Sequence, residues 1–197
     1  MPIELPEIER AGALSLPAAA TALIVVDMQN DFVHPEGSLF VPAAPETIPS
    51  IKLLLNKARE TGARVVFTQD WHSEDDPEFA IWPRHAVAGS WGAEVVSELE
   101  PRIEETRIHK LRYDAFYGTP LEHLLRLWGV ERLVIVGTVA NICVLHTAGS
   151  AALRWFEVVV PEDAVSALTP FDMQVAMRQI SFLYRGKITS AETISFV

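Results

Sequence analysis

Four uninterrupted apolar runs, each followed by a stretch with helical spacing, constrain this chain more than any other feature. They are Thr21-Ala-Leu-Ile-Val-Val26, Arg64-Val-Val-Phe-Thr68, Arg132-Leu-Val-Ile-Val136 and Glu157-Val-Val-Val160. A strand with one solvated face alternates apolar and polar residues. A run without alternation fits a strand covered on both faces, as in a parallel sheet. Weaker strand patterns over Thr106–His109 and Lys187–Thr189 bring the expected sheet to about six strands. Helical patterns fill the gaps. In the first, Ile48, Ile51, Leu54, Leu55 and Ala58 share a face and Gly62 follows as a stop. In the second, Thr119 can cap, Pro120 suits the first helical position, Glu122 completes a capping box and Gly129 ends the helix. A third pattern covers about Ile142–Trp155 and a fourth about Pro170–Tyr184. Strands alternating with helices require right-handed crossovers, so the expected fold is a three-layer α/β/α sandwich around a mainly parallel sheet, Rossmann-like in topology.

A chain of 197 residues with 49% hydrophobic content can bury one sizeable core. Residues 1–20 read as an N-terminal extension and 21–197 as a single domain. The extension opens with acidic residues and prolines, which makes a poor signal peptide. No apolar stretch reaches the roughly 18 residues that cross a bilayer. A net charge of −10 without a Lys/Arg run argues against a nucleic-acid partner or an anionic membrane surface. The single cysteine, Cys143, excludes an internal disulfide framework and suits a reducing compartment, so a cytoplasmic protein is expected. Apolar residues on the later helices are compatible with a homo-oligomer.

In parallel α/β sheets ligands bind beyond the carboxyl ends of the strands. Asp27 follows the first strand, Asp70-Trp-His72 the second, Lys110 the Thr106–His109 strand, and Gly137-Thr-Val-Ala-Asn-Ile-Cys143 the third apolar run. An acid, a base, a thiol and metal-binding side chains thus share one sheet edge. Cys143 read alone is a small buried hydrophobe. In the first turn of a helix, however, the macrodipole is expected to lower its pKa and make it a nucleophile. Asp27 either caps the next turn or serves as general base, and Lys110 at the end of an inner strand needs an acidic partner, for which Asp27 is the natural choice. The irregular stretch from Asp70 to Trp91 is long for a compact domain, and such loops are usually functional. Asp70, His72, Glu78 and His85 supply oxygen and imidazole donors there, with Glu74, Asp75 and Asp76 as alternatives. The set suits Zn²⁺, Mn²⁺ or Fe²⁺. Phe32, Trp82 and Tyr113 are placed to clamp a flat ring. His123 and His146 read as structural or exposed.

Together, Val25-Val-Asp-Met-Gln-Asn-Asp-Phe32, Thr68-Gln-Asp-Trp-His72, Trp82-Pro-Arg-His85, Lys110-Leu-Arg-Tyr-Asp-Ala-Phe-Tyr-Gly-Thr119 and Gly137-Thr-Val-Ala-Asn-Ile-Cys-Val144 resemble the isochorismatase-like cysteine hydrolases, most of all the nicotinamidases. The resemblance implies an Asp27–Lys110–Cys143 triad and a cis peptide at Val139–Ala140. It also implies an oxyanion hole from the amides of Ala140 and Cys143, and a divalent metal, zinc foremost, on Asp70, His72, Glu78 and His85. Glu78 is chosen because the positions where many members carry a further His hold Glu74, Asp75 and Asp76. The implied reaction is hydrolysis of nicotinamide to nicotinate and ammonia through a Cys thioester. The alternative within the family is an N-carbamoyl or ureido compound, for which the metal set is not expected.

Other classes fit less well. A dinucleotide-dependent oxidoreductase would carry Gly-x-Gly-x-x-Gly after the first strand, where this chain has Asp27-Met-Gln-Asn30. A scaffold role leaves the filled triad without purpose, and a thiol peroxidase leaves the metal loop unexplained.

Overall fold

The computed structural model describes residues 6–197, and residues 1–5 of the N-terminal extension lie outside the described residues. The elements in chain order are β1 (Leu14–Leu16), β2 (Thr21–Val26), α1 (Asn30–Val33), α2 (Ala44–Thr61), β3 (Arg64–Asp70), β4 (Thr106–Lys110), α3 (Leu121–Leu127), β5 (Arg132–Thr138), α4 (Leu145–Leu153), β6 (Glu157–Pro161), β7 (Val165–Ser166), α5 (Pro170–Tyr184), β8 (Lys187–Thr189) and β9 (Ile194–Phe196). Six strands form a sheet in the order β4-β3-β2-β5-β6-β8, and the two-residue β7 pairs with the end of β5 to make seven. Every pairing in it is parallel. The expected mainly parallel three-layer sandwich is therefore the observed fold.

The unbroken apolar strands are explained by two cores. On β2, Leu23 and Val25 point into a core shared with Ile51, Leu54, Leu55 and Ala58 of α2. Ala22, Ile24 and Val26 point the other way, onto Leu121 and Leu125 of α3, Ala148 and Ala151 of α4, and Ala176 and Ile180 of α5. All six residues of β2 are buried, as a central strand between two helical layers requires. Ahead of β2, the short β1 pairs in parallel with β9 and fixes the two ends of the described chain to each other.

Helix ends show where local sequence was misleading. α5 is capped as its residues suggest, Thr169 Oγ1 accepting from the Asp172 amide at 3.2 Å. At α3 the capping box does not close. Thr119 Oγ1 accepts from the Leu121 amide at 3.3 Å, but Glu122 turns away to Arg154 Nε at 2.7 Å, so a tertiary ion pair replaces the local one. The third expected helix ends at Leu153, and it opens earlier, in a π-helical turn over Ala140–Val144. Such wide turns recur at functional sites.

The chain leaves β2 for β3 and β4 on one side, then returns to lay β5 on the other side of β2. The crevice beyond the carboxyl ends of β2 and β5 is thus the place where a parallel sheet offers a binding site. Gly137 marks it. At φ +111°, its missing Cβ would fall 2.1 Å from Val26 O, so only glycine lets the two strand ends approach there.

Candidate active site

The strand ends deliver three charged groups to one buried point. Asp27 leaves β2 with φ +48°, a left-handed conformation uncommon outside glycine. Its Oδ1 accepts from Thr68 Oγ1 at 2.6 Å and its Oδ2 lies 2.7 Å from Lys110 Nζ. Lys110 closes β4 with 1% of its surface exposed. Its ammonium also reaches Asp70 Oδ1 at 2.5 Å and stands 3.7 Å from Cys143 Sγ. One cation therefore sits among two carboxylates and a sulfur. Asp27, Asp70 and Cys143 are close enough to hold a metal among themselves, but the ammonium already occupies that centre.

Burial dominates the electrostatics. It pushes the Asp27 carboxyl up despite the neighbouring Lys110. Burial also raises Asp70, but here Lys110 and His72 together outweigh it and hold the carboxyl at about 2. Lys110 is pushed down by burial and up by Asp27 and Asp70, and the carboxylates win, so it remains an ammonium. The thiol departs from expectation. Burial first, then Asp27 and Asp70, raise Cys143 well above an ordinary thiol against the pull of Lys110, where the helix start was expected to lower it. Residence in a π-helical turn inside a low-dielectric site explains the difference: desolvation of a thiolate outweighs a helix dipole.

The turn that carries Cys143 is built from the end of β5. Ile142 and Val144 donate their amides to Val139 O at 3.0 and 3.2 Å. The cis peptide expected at Val139–Ala140 lies one residue earlier, at Thr138–Val139. A motif match places such a bond only to within a residue, because no side chain marks it.

A second cluster adjoins the first. Asp70, His72 and His85, all buried, bring one ligand atom each to within 4.8 Å of one another. Asp70 Oδ2 is 3.9 Å from His72 Nε2 and 4.0 Å from His85 Nε2. These spans are close to the length of two Zn–N bonds of about 2.1 Å laid end to end, so the three atoms surround a space of the size one cation takes. The rear nitrogens are held: His72 Nδ1 by Asp76 Oδ2 at 3.1 Å, His85 Nδ1 by Pro83 O at 2.7 Å. His72 Nε2 is buried with no hydrogen-bond partner, which a ligated cation would explain. Burial pushes His85 down, toward the neutral form that binds metals. Glu78 is buried and lines the same cavity, but it lies outside this tight group, and burial raises its carboxyl. Asp76, an alternative donor in the sequence, instead spends its oxygens on His72, the Glu78 amide and Arg112.

Both clusters open on a cavity of about 270 Å³. Its walls include Asp27, Asp70, Cys143 and His85, together with Phe32, Trp82 and Tyr113, the three aromatics singled out in the sequence. Trp82 Nε1 donates to Tyr113 Oη at 2.8 Å, and Phe32 meets the His85 ring edge-on at 5.6 Å. Trp71 is elsewhere, stacked on His109 at 3.9 Å. His146 is exposed, with Nδ1 2.7 Å from Ile142 O.

The isochorismatase domain model matches residues 21–193. The chain belongs to the isochorismatase family. Within that family it is 30% identical to the ureidoacrylate amidohydrolase RutB of Yersinia enterocolitica, over 93% of this chain and 91% of that protein. Among solved structures, N-carbamoylsarcosine amidase from Thermoplasma acidophilum superposes with TM-score 0.81 and 36% identity, covering 87% of this chain and 96% of the other. The pyrazinamidase of Pyrococcus horikoshii in complex with zinc gives TM-score 0.82 and 37% identity, over 87% and 99%. This chain is accordingly an isochorismatase-family amide hydrolase of small molecules. No helix among its described residues is long and apolar enough to cross a membrane.

Sequence reasoning missed two contributors. Asp70 was read only as a metal ligand, yet it divides its oxygens between Lys110 and the histidines. Gln29 was passed over, although it clamps the Asp70 backbone, donating to Asp70 O at 2.9 Å and accepting from Asp70 N at 2.8 Å. A glutamine two residues beyond a strand-end acid was the available signal.

Proposed function

We propose that this isochorismatase-family hydrolase converts nicotinamide to nicotinate and ammonia through a thioester on Cys143. The observation that carries the reading is the Asp70–His72–His85 cluster, with the unpartnered nitrogen of His72 behind Asp70 and His85, which line the cavity that holds the sulfur. A divalent cation there, zinc foremost, with Glu78 on the same cavity wall as the proposed fourth donor, would supply a Lewis acid for the ring nitrogen of a pyridine carboxamide.

The residues of the chain do the rest. Phe32, Trp82 and Tyr113 flank the ring and keep water from its faces. Lys110 stays charged between Asp27 and Asp70 and holds Asp27 beside the thiol. Cys143 gives its proton to Asp27 as the sulfur bonds to the carboxamide carbon, and the carbonyl π electrons move to oxygen. The amides of Ala140 and Cys143 receive that oxyanion. Asp27 then passes the proton to the amide nitrogen, the C–N bond breaks, and ammonia leaves. Water attacks the thioester, losing a proton to Asp27, and the acid departs as that proton returns to sulfur. Burial raises the proton affinity of both Asp27 and Cys143, and Asp27, paired with Lys110, takes the thiol proton as a carboxylate.

A second reading, hydrolysis of an N-carbamoyl or ureido compound by the same triad, is favoured by the likeness to RutB and N-carbamoylsarcosine amidase. Ammonia release from nicotinamide, pyrazinamide and carbamoyl compounds, with Cys143→Ala as the blank and elemental analysis of the purified protein, separates the two. Turnover of the ring amides with one bound metal per chain is expected, and Cys143→Ala should lower kcat by roughly 10⁴-fold or more. Turnover confined to carbamoyl compounds overturns the nicotinamide reading, and retained turnover in Cys143→Ala overturns covalent catalysis.

A further inference from the structure

The metal cluster stands on a loop, so something must hold that loop. The turn after β2 does this with three consecutive side chains. Gln29 clamps the backbone of Asp70, and Asn30 Nδ2 donates to Trp91 O at 2.8 Å. Asp31 reaches between them: its Oδ2 accepts from the Ala86 amide at 2.7 Å and its Oδ1 from the Ser38 amide at 3.1 Å.

Ala86 is no ordinary attachment point. It follows His85 directly, is fully buried, and has φ +43° although it carries a Cβ. Its carbonyl accepts from the His72 amide at 3.0 Å, and the Ala88 amide returns to His72 O at 2.9 Å. One residue, Ala86, therefore ties the His72 backbone to the segment that carries His85, its carbonyl bonded to the His72 amide and its own amide held by Asp31. Ser38, on the other oxygen, begins the Ser38–Val41 wall of the cavity. Gly92 closes the arrangement from above: a Cβ there would lie 2.0 Å from Asp31 Oδ2, so only glycine leaves room for the carboxylate.

We infer that Asp31 is a positioning residue that fixes the spacing of His72 and His85 and couples it to the cavity wall, and that Gly92 is retained to seat it. The inference rests on the metal reading proposed above. Asp31 touches neither substrate nor metal; it acts through the Ala86 peptide. Two backbone amides need two acceptor oxygens, and an amide side chain supplies only one. Asp31→Asn therefore loses one of these bonds with almost no change in volume. Gly92→Ala displaces the same carboxylate without removing its charge.

The test measures zinc affinity of the whole chain by competition with a chromogenic chelator, alongside the rate at which iodoacetamide alkylates Cys143. Removal of an outer-shell partner typically weakens metal binding by about 10–100-fold. Asp31→Asn and Gly92→Ala should each fall in that range, with alkylation of Cys143 within twofold of the unaltered chain. Asp31→Glu should recover part of the loss. If the unaltered chain binds no stoichiometric zinc, the metal reading fails and this inference with it. If the unaltered chain binds zinc and Asp31→Asn binds it equally well, the metal reading stands and the role of Asp31 is overturned. A lower melting temperature in Asp31→Asn with unchanged zinc affinity would likewise reduce Asp31 to a structural bond.

Discussion

The two halves of the site are made of different material. Asp27, Asp70 and Lys110 stand at the ends of β2, β3 and β4, strands in fixed parallel register, with Asp70 opposite Lys110 and the β2 terminus beside Thr68. Their relative positions follow from the sheet. His72, Asp76, Glu78 and His85 stand on an irregular loop whose shape depends on side-chain contacts to backbone. Asp70 belongs to both, with one oxygen in each. A strand-end site inherits the rigidity of the core, whereas a loop site must be held residue by residue. Substitutions in the first half should therefore act on the stability of the whole domain, and substitutions in the second on local geometry.

The largest effect follows from Lys110→Met. Methionine fills much of the lysine volume but leaves Asp27 and Asp70 facing each other without a cation, both almost fully buried. Removing one partner of a buried ionic group typically destabilises by about 3–5 kcal/mol. Chemical denaturation should show a loss of that order, partly relieved as the pH falls and one of the two acids takes a proton. A change under about 1 kcal/mol, within the usual span for exposed pairs, would mean that the strand-end half is not held by its charges.

The pH dependence of the thiol gives a second, intermediate effect. Cys143 has its proton affinity raised in the folded chain, chiefly by burial and then by Asp27 and Asp70. At neutral pH its thiolate fraction is therefore below that of a free cysteine, whose pKa is about 8.5. Iodoacetamide alkylation of the ligand-free chain should be slower than that of a small thiol at pH 7, and should keep rising through and beyond the pH at which the small thiol levels off. The sign for stability is the same: the favourable term is present below the unfolded thiol pKa and declines above it. Rapid alkylation well below pH 8 would show that Lys110 prevails over burial.

This contrast also explains how much of the molecule could be read in the sequence. Buried parallel strands announce themselves, because Ala22–Val26 are apolar without a break, and an acid directly after such a run is then conspicuous. Asp27 is visible for that reason, and Lys110 and Cys143 because they follow strands on the same sheet edge. Loop geometry has no such period. Glu78 lines the cavity beside the Asp70–His72–His85 group but lies outside it, the cis peptide falls one residue before its expected place, and Glu122 leaves its capping box for Arg154. The last of these was decided by a contact 32 residues away, and the other two carry no periodic mark in the sequence. The direction of the Cys143 shift was misread for a related reason: a helix start is a local feature, whereas burial is a property of the whole fold.

The smallest effect concerns a bond that joins the halves. Trp82 lies on the metal loop and Tyr113 three residues beyond Lys110, and Trp82 Nε1 donates to Tyr113 Oη at 2.8 Å across the cavity. Both side chains are half-buried, so water can replace part of what is lost. Tyr113→Phe removes the acceptor and keeps the ring. A neutral hydrogen bond of this kind contributes about 0.5–1.5 kcal/mol net, equivalent to roughly a 2- to 13-fold change in an equilibrium constant. If the bond steadies the loop wall against a bound ring, that change should appear as a raised KM for the ring amide, with kcat nearly constant and zinc affinity unaltered. Should kcat fall instead, the hydroxyl would be acting on the transition state, and Tyr113 would belong with the strand-end residues and not with the wall.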